Sequence, residues 1–506
     1  MKRKLLSILA LMLIGVGGAW AQDSWTSGDC TVTLSGGVLT VSKTSGMGAM
    51  ADYTSAFDSN IPWKNSRTSI TSIVVESNVT HIGNCAFASC NKATSIELPS
   101  SLTSIGNYAF QSCNNASLTS ITIPDNVTTI GNYAFATCSS LKSVTIPNKV
   151  TTIGEYAFNR CSKLETATVG NSVTTIGTNA FASCSKLGSI NIPASVMTIG
   201  ASAFQGCNAL TSFNVDANNN FYASEGGVLF NKDKTILIQY PASKSGDSYD
   251  IPASVTSINS YAFYYSTGLT EVTIPASVTA IGSYAFRYCS NLGTVTLLSN
   301  PYITGDAFTG IKSGATIAMN LTANAAGGAY WLTFYNQNFS FQADENTQIF
   351  KAALSDDKLT LTELTADKKV NAAKAVILKS TASTITMTLV TSNSSNDFND
   401  NSLKGVATAV GKTSDGTTFV LNNRSQGVGF YRLATGKTLG VGKAYLTYDG
   451  STAPEFFGFD GNTTGIDATL VNSEKVNSVV YDLQGRKVAQ PVKGLYIVNG
   501  KKVVIK

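Results

Sequence analysis

The chain has 506 residues, of which only 13% are charged and 43% apolar, with Gly, Ser, Thr and Asn abundant, and this excludes wholesale disorder. Of the formal net charge of +5, residues 1–21 carry +3 and residues 474–506 carry +5, so everything between is about −3. A body with that balance excludes an electrostatic footprint for nucleic acid.

Residues 1–21 read as a signal peptide. Lys2, Arg3 and Lys4 form its basic start, residues 5–16 its apolar stretch, and Ala19-Trp20-Ala21 its small-x-small site, with cleavage between Ala21 and Gln22. That apolar stretch is too short to span a bilayer, and no later one approaches the roughly 18 residues required, so no transmembrane segment is expected. Residues 22–68 read as the N-terminal cap of a repeat array, with "TVTLSGGVLTVSKT" as a hairpin and Trp63 before the first full unit.

Residues 69–341 are that array, organised by one recurring unit. Its marker phenylalanines are Phe87, Phe110, Phe135, Phe158, Phe181, Phe204, Phe263, Phe286 and Phe308, mostly 23 residues apart. In "YAFATCSSL", Ala134, Phe135 and Cys138 stand at i, i+1 and i+4, which predicts a short helical turn. In "LKSVTIP", Val144 and Ile146 alternate as in a strand, and Pro147 ends it. One unit cannot bury both apolar faces alone, so the units must stack. The predicted fold is a solenoid with one short strand and one short helix per coil, an α+β repeat. The 59-residue interval between Phe204 and Phe263 marks an enlarged repeat at 214–250, and "AYWLTFYNQNFSF" a C-terminal cap. After a polar linker at 342–346, residues 347–460 show short alternating runs such as "KAVILKS" and "TITMTLV", read as a small all-β sandwich. A second linker, 461–476, leads to a short β tail at 477–506 with Asn499-Gly500 as a tight turn.

His81 is the only histidine, so a Ser-His-acid or Cys-His site would have to be built on it. Other coils place Ser104, Thr129, Thr152, Thr175 or Ala280 there, which makes a solvent-facing variation the better reading. Zinc is not expected with one His and cysteines spaced by whole coils, and no phosphate-binding glycine loop is present. The reading is therefore non-enzymatic, without catalytic, metal or cofactor residues. Cys90, Cys113, Cys138, Cys161, Cys184, Cys207 and Cys289 share one repeat position and should be small buried thiols, whereas Cys30 and Cys85 lie off that column and are expected to be more exposed. Candidate partner-binding residues are the outward column containing Thr122, Thr145 and Thr168, and the tyrosines two positions before the Phe: Tyr108, Tyr133, Tyr156, Tyr261 and Tyr284. Phe221-Tyr222 in the enlarged repeat is a weaker candidate.

The iterated pattern "IGxYAFxxCxxLxxVxIPxSVTxI" resembles the BspA-type leucine-rich repeat family over about residues 28–340. "KAVILKS" and "LNNRSQGVGFYRLATGKTLGVGKAYL" are similar to β-domains of secreted Bacteroidota proteins, and "YDLQGRKV" followed by "GLYIV" resembles a type IX secretion sorting domain. These resemblances imply a secreted or outer-surface adhesion protein that binds an extracellular protein or glycan; a monomer is expected, and the charge balance argues against a nucleic-acid partner. Carbohydrate capture by the 347–460 domain, or a purely structural spacer, are the alternatives.

Overall fold

In the computed structural model, the alternating runs Ser143–Thr145, Thr166–Thr168, Ser189–Ile192 and Ser212–Val215 pair as successive parallel strands, each apolar residue facing inward. Thr145 lies opposite Thr168, and Val144 opposite Ala167. The structure describes residues 23–448, apart from 56–57, 356–357, 409–410 and 425–426, and beyond 448 only Phe456–Gly458, Thr469–Val471, Val480–Tyr481, Lys487–Val488, Gly494–Val498 and Lys501–Ile505. The signal peptide, its Ala21/Gln22 cleavage site and the Asn499-Gly500 turn lie outside the described residues.

The chain divides into two compact units. One comprises residues up to Asp247 with Asn259–Gly268 and Tyr284–Asn291. Its coils have three sides: the strands above, a second parallel ladder that includes Thr129–Ile130, Thr152–Ile153, Thr175–Ile176 and Thr198–Ile199, and a stack of turns carrying the "YAF" segments. The short helix expected in each coil is not there. Among the described residues the only helix is the 3-10 segment Lys64–Ser69. In each turn, alternate amides bond in different directions. Ala136 N–H donates to Tyr133 O (3.0 Å) within the coil, whereas Tyr133, Phe135 and Thr137 N–H donate to Glu155, Ala157 and Asn159 O of the next (2.8, 2.8 and 2.7 Å). Tyr133 and Thr137 take φ of 57° and 61°, which no α-helix tolerates. The reason is thickness. Both strand ladders hold successive coils at about 4.8 Å, and a helix about 10 Å wide cannot stack at that spacing. A flat turn can.

Inside, Phe87, Phe110, Phe135, Phe158 and Phe181 are essentially inaccessible, with consecutive rings stacked 5.3–5.4 Å apart. Trp63 closes the start of this column: it is fully buried 6.3 Å from Phe87, and its Nε1 donates to Ala86 O (2.9 Å). The Gly after each Ile permits close approach, since a Cβ on Gly154 would sit 2.5 Å from the Gly131 carbonyl carbon. In the enlarged repeat, Tyr222–Glu225, Val228–Asn231 and Ile236–Gln239 form an antiparallel meander.

All nine cysteines are free and buried, including Cys30 and Cys85, which are 1% and 2% exposed. The greater exposure expected of those two is therefore corrected: Cys30 begins an inward-facing strand of the N-terminal hairpin, and the buried Arg67 packs against Cys85, its Nη2 donating to the Cys85 carbonyl (3.5 Å). From Cys113 onward, the thiols of the column donate to the carbonyl of the previous coil's Phe, for example Cys138 to Phe110 (3.2 Å), Cys161 to Phe135 (3.3 Å) and Cys184 to Phe158 (3.2 Å). Burial pushes the Cys161 and Cys207 thiols up to about 12, which removes the nucleophilic thiolate. The expected result is that Ellman's reagent finds nine thiols in denaturant without reductant and almost none in the native protein. Fewer than nine under denaturing conditions would mean that some pair is oxidised.

The other unit contains residues Ser248–Ile258, Leu269–Ser283 and everything from Leu292. Parallel strands Ser248–Asp250, Glu271–Ile274, Thr294–Leu297 and Thr316–Thr322 are continued in the same sheet by Thr384–Val390, Ser340–Ala343 and Lys369–Val370, now antiparallel. Ala329–Tyr335, Thr347–Ser355, Lys358–Glu363 and Ala375–Ser380 build a neighbouring antiparallel sheet with Asn324–Ala326. Of the expected linker 342–346, residues 342–343 belong to the first sheet and only 344–346 join it to the second. A third sheet of Lys404–Gly405, Thr418–Arg424, Gly427–Arg432, Ala444–Thr447 and Phe456–Gly458 shares an apolar cluster with the second, including Trp331, Ile377, Phe419 and Phe430. Asn300 Nδ2 ties two segments of the unit by donating to Tyr335 O (2.8 Å) and Gly442 O (3.0 Å). In the tail, Gly494–Val498 pairs antiparallel with Lys501–Ile505, which also takes Thr469–Val471 as a parallel neighbour.

Candidate interaction surface

Alternation fixes what each coil shows to water. Thr145 and Thr168 are exposed and directly paired on adjacent strands, because Val144 and Ala167 occupy the inward phase. Thr122 is exposed in the same column, but the ladder there is reduced to one isolated bridge, Ser120 to Ser143. Farther along, Asn214 Nδ2 donates to Asn191 Oδ1 (3.0 Å) in the same outward row.

The tyrosines separate into two groups. Tyr108, Tyr133 and Tyr156 stack face to face, with centroids 4.7 and 4.5 Å apart and planes within 8°. Each is half-buried and has φ between 56° and 58°, a left-handed turn position that aims the ring outward over the next coil. Burial, and then the neighbouring phenols of Tyr156 and Tyr108, push the Tyr133 phenol up. The stack ends where Asn179 takes the same place at φ 53°. Tyr261 and Tyr284 form the second group, 5.3 Å apart. Sequence reasoning missed what surrounds them. Tyr264, Tyr265 and Tyr288 crowd the same turns, and the Arg287 guanidinium lies 4.7 Å from the Tyr284 centroid and 4.6 Å from that of Tyr288. The available signal was a substitution within the repeat, since Ala136-Thr137 and Ala182-Ser183 occupy the positions of Tyr264-Tyr265 and Arg287-Tyr288.

His81 is half-buried and bridges two groups. Its Nδ1 lies 2.8 Å from Ser104 Oγ and its Nε2 3.2 Å from Asp52 Oδ1. That is the residue set of a serine hydrolase relay, although Ser104 sits in a parallel ladder between His81 and Thr129. A cavity of about 380 Å3 opens beside Asp52, lined also by Tyr53, Thr54, Asn84, Cys85, Asn107 and Tyr108, and neither His81 nor Ser104 reaches it. The arrangement ties the segment at residue 52 to the first two coils. Burial alone would raise the Asp52 carboxyl, but the Asn84 N–H (2.7 Å) and His81 hold it below the usual carboxylate range. Asp52 also heads a column in which Asn84, Asn107 and Asn132 Oδ1 each accept the amide one coil on, at 2.6–2.8 Å. Among the described residues, no three His, Cys, Asp or Glu side chains converge as metal ligands, and no helix is long and apolar enough to cross a membrane.

A BspA-type leucine rich repeat profile matches residues 63–119, 114–225 and 242–358, in six copies. Among solved structures, the chain is similar to a leucine-rich repeat protein of Eubacterium ventriosum at 30% identity, over 59% of this chain and 78% of that one, with a TM-score of 0.42. It is also similar to a leucine rich cell surface protein of Faecalibacterium prausnitzii (28% identity, 57% and 86% covered, TM-score 0.46). A leucine-rich repeat protein of Bacteroides ovatus matches at 24% identity (60% and 78% covered, TM-score 0.41). No curated protein matches.

Proposed function

Because the chain belongs to the BspA-type leucine-rich repeat family, we propose that it is a non-enzymatic interaction protein that works outside the cell and holds protein or glycan partners on the outer faces of its coils. In this reading, residues 1–21 direct export, cleavage falls between Ala21 and Gln22, residues 477–506 act as a sorting tail, and the mature chain is a monomer. One observation carries it: the coils turn Phe, Ile and Val inward, with Cys beside them in most, and repeat short hydroxyl side chains outward, joined in two groups of coils by stacked tyrosines. Many equivalent, shallow contacts suit adhesion better than chemistry, which needs convergent groups in a cleft.

The test is binding of the mature chain to immobilised host extracellular matrix and mucus. Replacing Tyr133 and Tyr156 by Asn, and Thr145 and Thr168 by Lys, is expected to lower capture at least tenfold while leaving the circular dichroism spectrum unchanged. Binding that survives all four substitutions, or glycan binding that maps to residues 347–460 alone, would favour the capture reading. The Ser104–His81–Asp52 contact supplies the one observation for an enzyme. Hydrolysis of p-nitrophenyl acetate that disappears in Ser104→Ala would overturn the non-enzymatic assignment.

A further inference from the structure

The tyrosine stack has a missing member. Every turn from residue 84 to residue 156 repeats one geometry, so the column runs Cys85, Tyr108, Tyr133, Tyr156, each at φ 56–58°. The chain at 51–53 adds a further layer. Asp52 Oδ1 accepts Asn84 N–H as the Asn side chains do in later coils, and Tyr53 N–H donates to Asn84 O (3.2 Å). Tyr53 therefore occupies the layer before Cys85, but its ring turns inward, edge-on to Trp63 at 5.9 Å, with its hydroxyl on Ser27 Oγ (2.8 Å). With Cys85 small and Tyr53 turned away, no ring among the described residues lies over the Tyr108 face opposite Tyr133. The cavity of about 380 Å3 is that empty position, bounded by residues 52–54 on one side and Tyr108 on the other.

Two features say what would fill it. The first is charge. Asp52 keeps its carboxyl ionised on the cavity wall, more than half exposed, and among the described residues only its Oδ1 is engaged, by His81 and Asn84. The second is a parallel within the same chain. In the Tyr261–Tyr284 turns, the Arg287 guanidinium already lies against the ladder tyrosine Tyr284, with the Tyr288 ring also within 5 Å. A flat cation is attracted to an aromatic face and donates a charge-assisted hydrogen bond to a free carboxylate oxygen, here Asp52 Oδ2.

We propose that this slot is a recognition pocket for an arginine side chain of a protein partner, whose guanidinium stacks on Tyr108 as the next layer of the ladder and pairs with Asp52. The inference rests on the adhesion reading and narrows it, placing one specific protein contact at the N-terminal end of the tyrosine stack.

The experiment uses the mature chain and N-acetyl-arginine amide as probe, followed by saturation-transfer NMR, with N-acetyl-citrulline amide, N-acetyl-tyrosine amide and glucose as comparisons. The arginine probe should bind saturably and at least tenfold more tightly than citrulline, which keeps the shape and loses the charge. Asp52→Asn should weaken it at least tenfold. Cys85→Tyr, which fills the slot from within and leaves Asp52 intact, should abolish it. Tyr108→Asn copies the residue at 179 in the equivalent turn and serves as a second variant should Cys85→Tyr fold poorly. Absence of saturable arginine binding, equal binding of citrulline, preference for tyrosine or glucose, or binding unaffected by Asp52→Asn or Tyr108→Asn would each overturn the proposal. Matrix capture measured in parallel keeps the two readings apart, since a failed slot with intact capture removes only this pocket.

Discussion

Phe158→Ala is expected to cost about 3–5 kcal/mol of stability, at the upper end for a core truncation. Phe158 is fully buried and stacked 5.3 Å from both Phe135 and Phe181, with planes 8° from parallel. The void cannot collapse, because the coil spacing is fixed on all three sides. Thr152 pairs with both Thr129 and Thr175, Thr166 with Ser143 and Ser189, and Phe158 N–H donates to Ala180 O at 2.8 Å. Neighbouring atoms therefore lose contacts and gain none. Urea unfolding followed by circular dichroism measures the loss. In a stacked array the damage should concentrate on adjacent coils, so hydrogen exchange should accelerate most at Phe135 and Phe181. A cost below about 1 kcal/mol would mean that the ring column relaxes, and the rigid-spacing account would fail.

Asn219→Leu is expected to be comparably severe for a different reason. Asn219 is 0% exposed and uses its whole amide: Nδ2 donates to Pro193 O (2.8 Å) and Val196 O (2.9 Å), and Oδ1 accepts from Phe221 and Tyr222 N–H (both 2.8 Å). It thereby fastens the entrance of the enlarged repeat to the preceding coil. Leucine nearly matches its volume but satisfies none of the four groups, and each buried group left unpaired costs about 1–3 kcal/mol. Asn219→Asp separates the contributions. It keeps both acceptor bonds but sets a carboxylate against two carbonyl oxygens, which raises its folded pKa. Its deficit should then be larger at neutral than at mildly acidic pH, where protonation restores one donor. Equal stability of Asn219→Leu and the natural protein in thermal unfolding would show that water or local rearrangement satisfies the freed groups.

Much of the fold is legible in the residues because its determinants are local. The 23-residue recurrence of Phe, the Val144-Thr145-Ile146 alternation and Pro147 define inward and outward positions with no knowledge of neighbours, and the inward set is buried as that pattern requires. The third side of the coil was not legible. "YAFATC" satisfies a helical period and a flat turn equally well, and its apolar residues face inward in both. Nor did the sequence reveal the Asp52–His81–Ser104 contact or the slot over Tyr108, because Asp52 and Tyr53 lie outside the 23-residue period: 29 residues separate His81 from Asp52. The pairing of Thr316–Thr322 with Thr384–Val390 is hidden in the same way, since the strands are distant in sequence and each reads only as an alternating run.

By itself the sequence determined that this protein is a stack of equivalent coils with Phe and Cys columns inside and Thr and Tyr columns outside. Burial of one apolar face per repeat is a demand that each unit states on its own. Only the tertiary structure decided how thin the turn side must be, which tyrosines meet, and where the stack stands open. Those outcomes depend on the distance between coils, which is set jointly by two parallel ladders and by hydrogen bonds that exist only once a neighbour is in place.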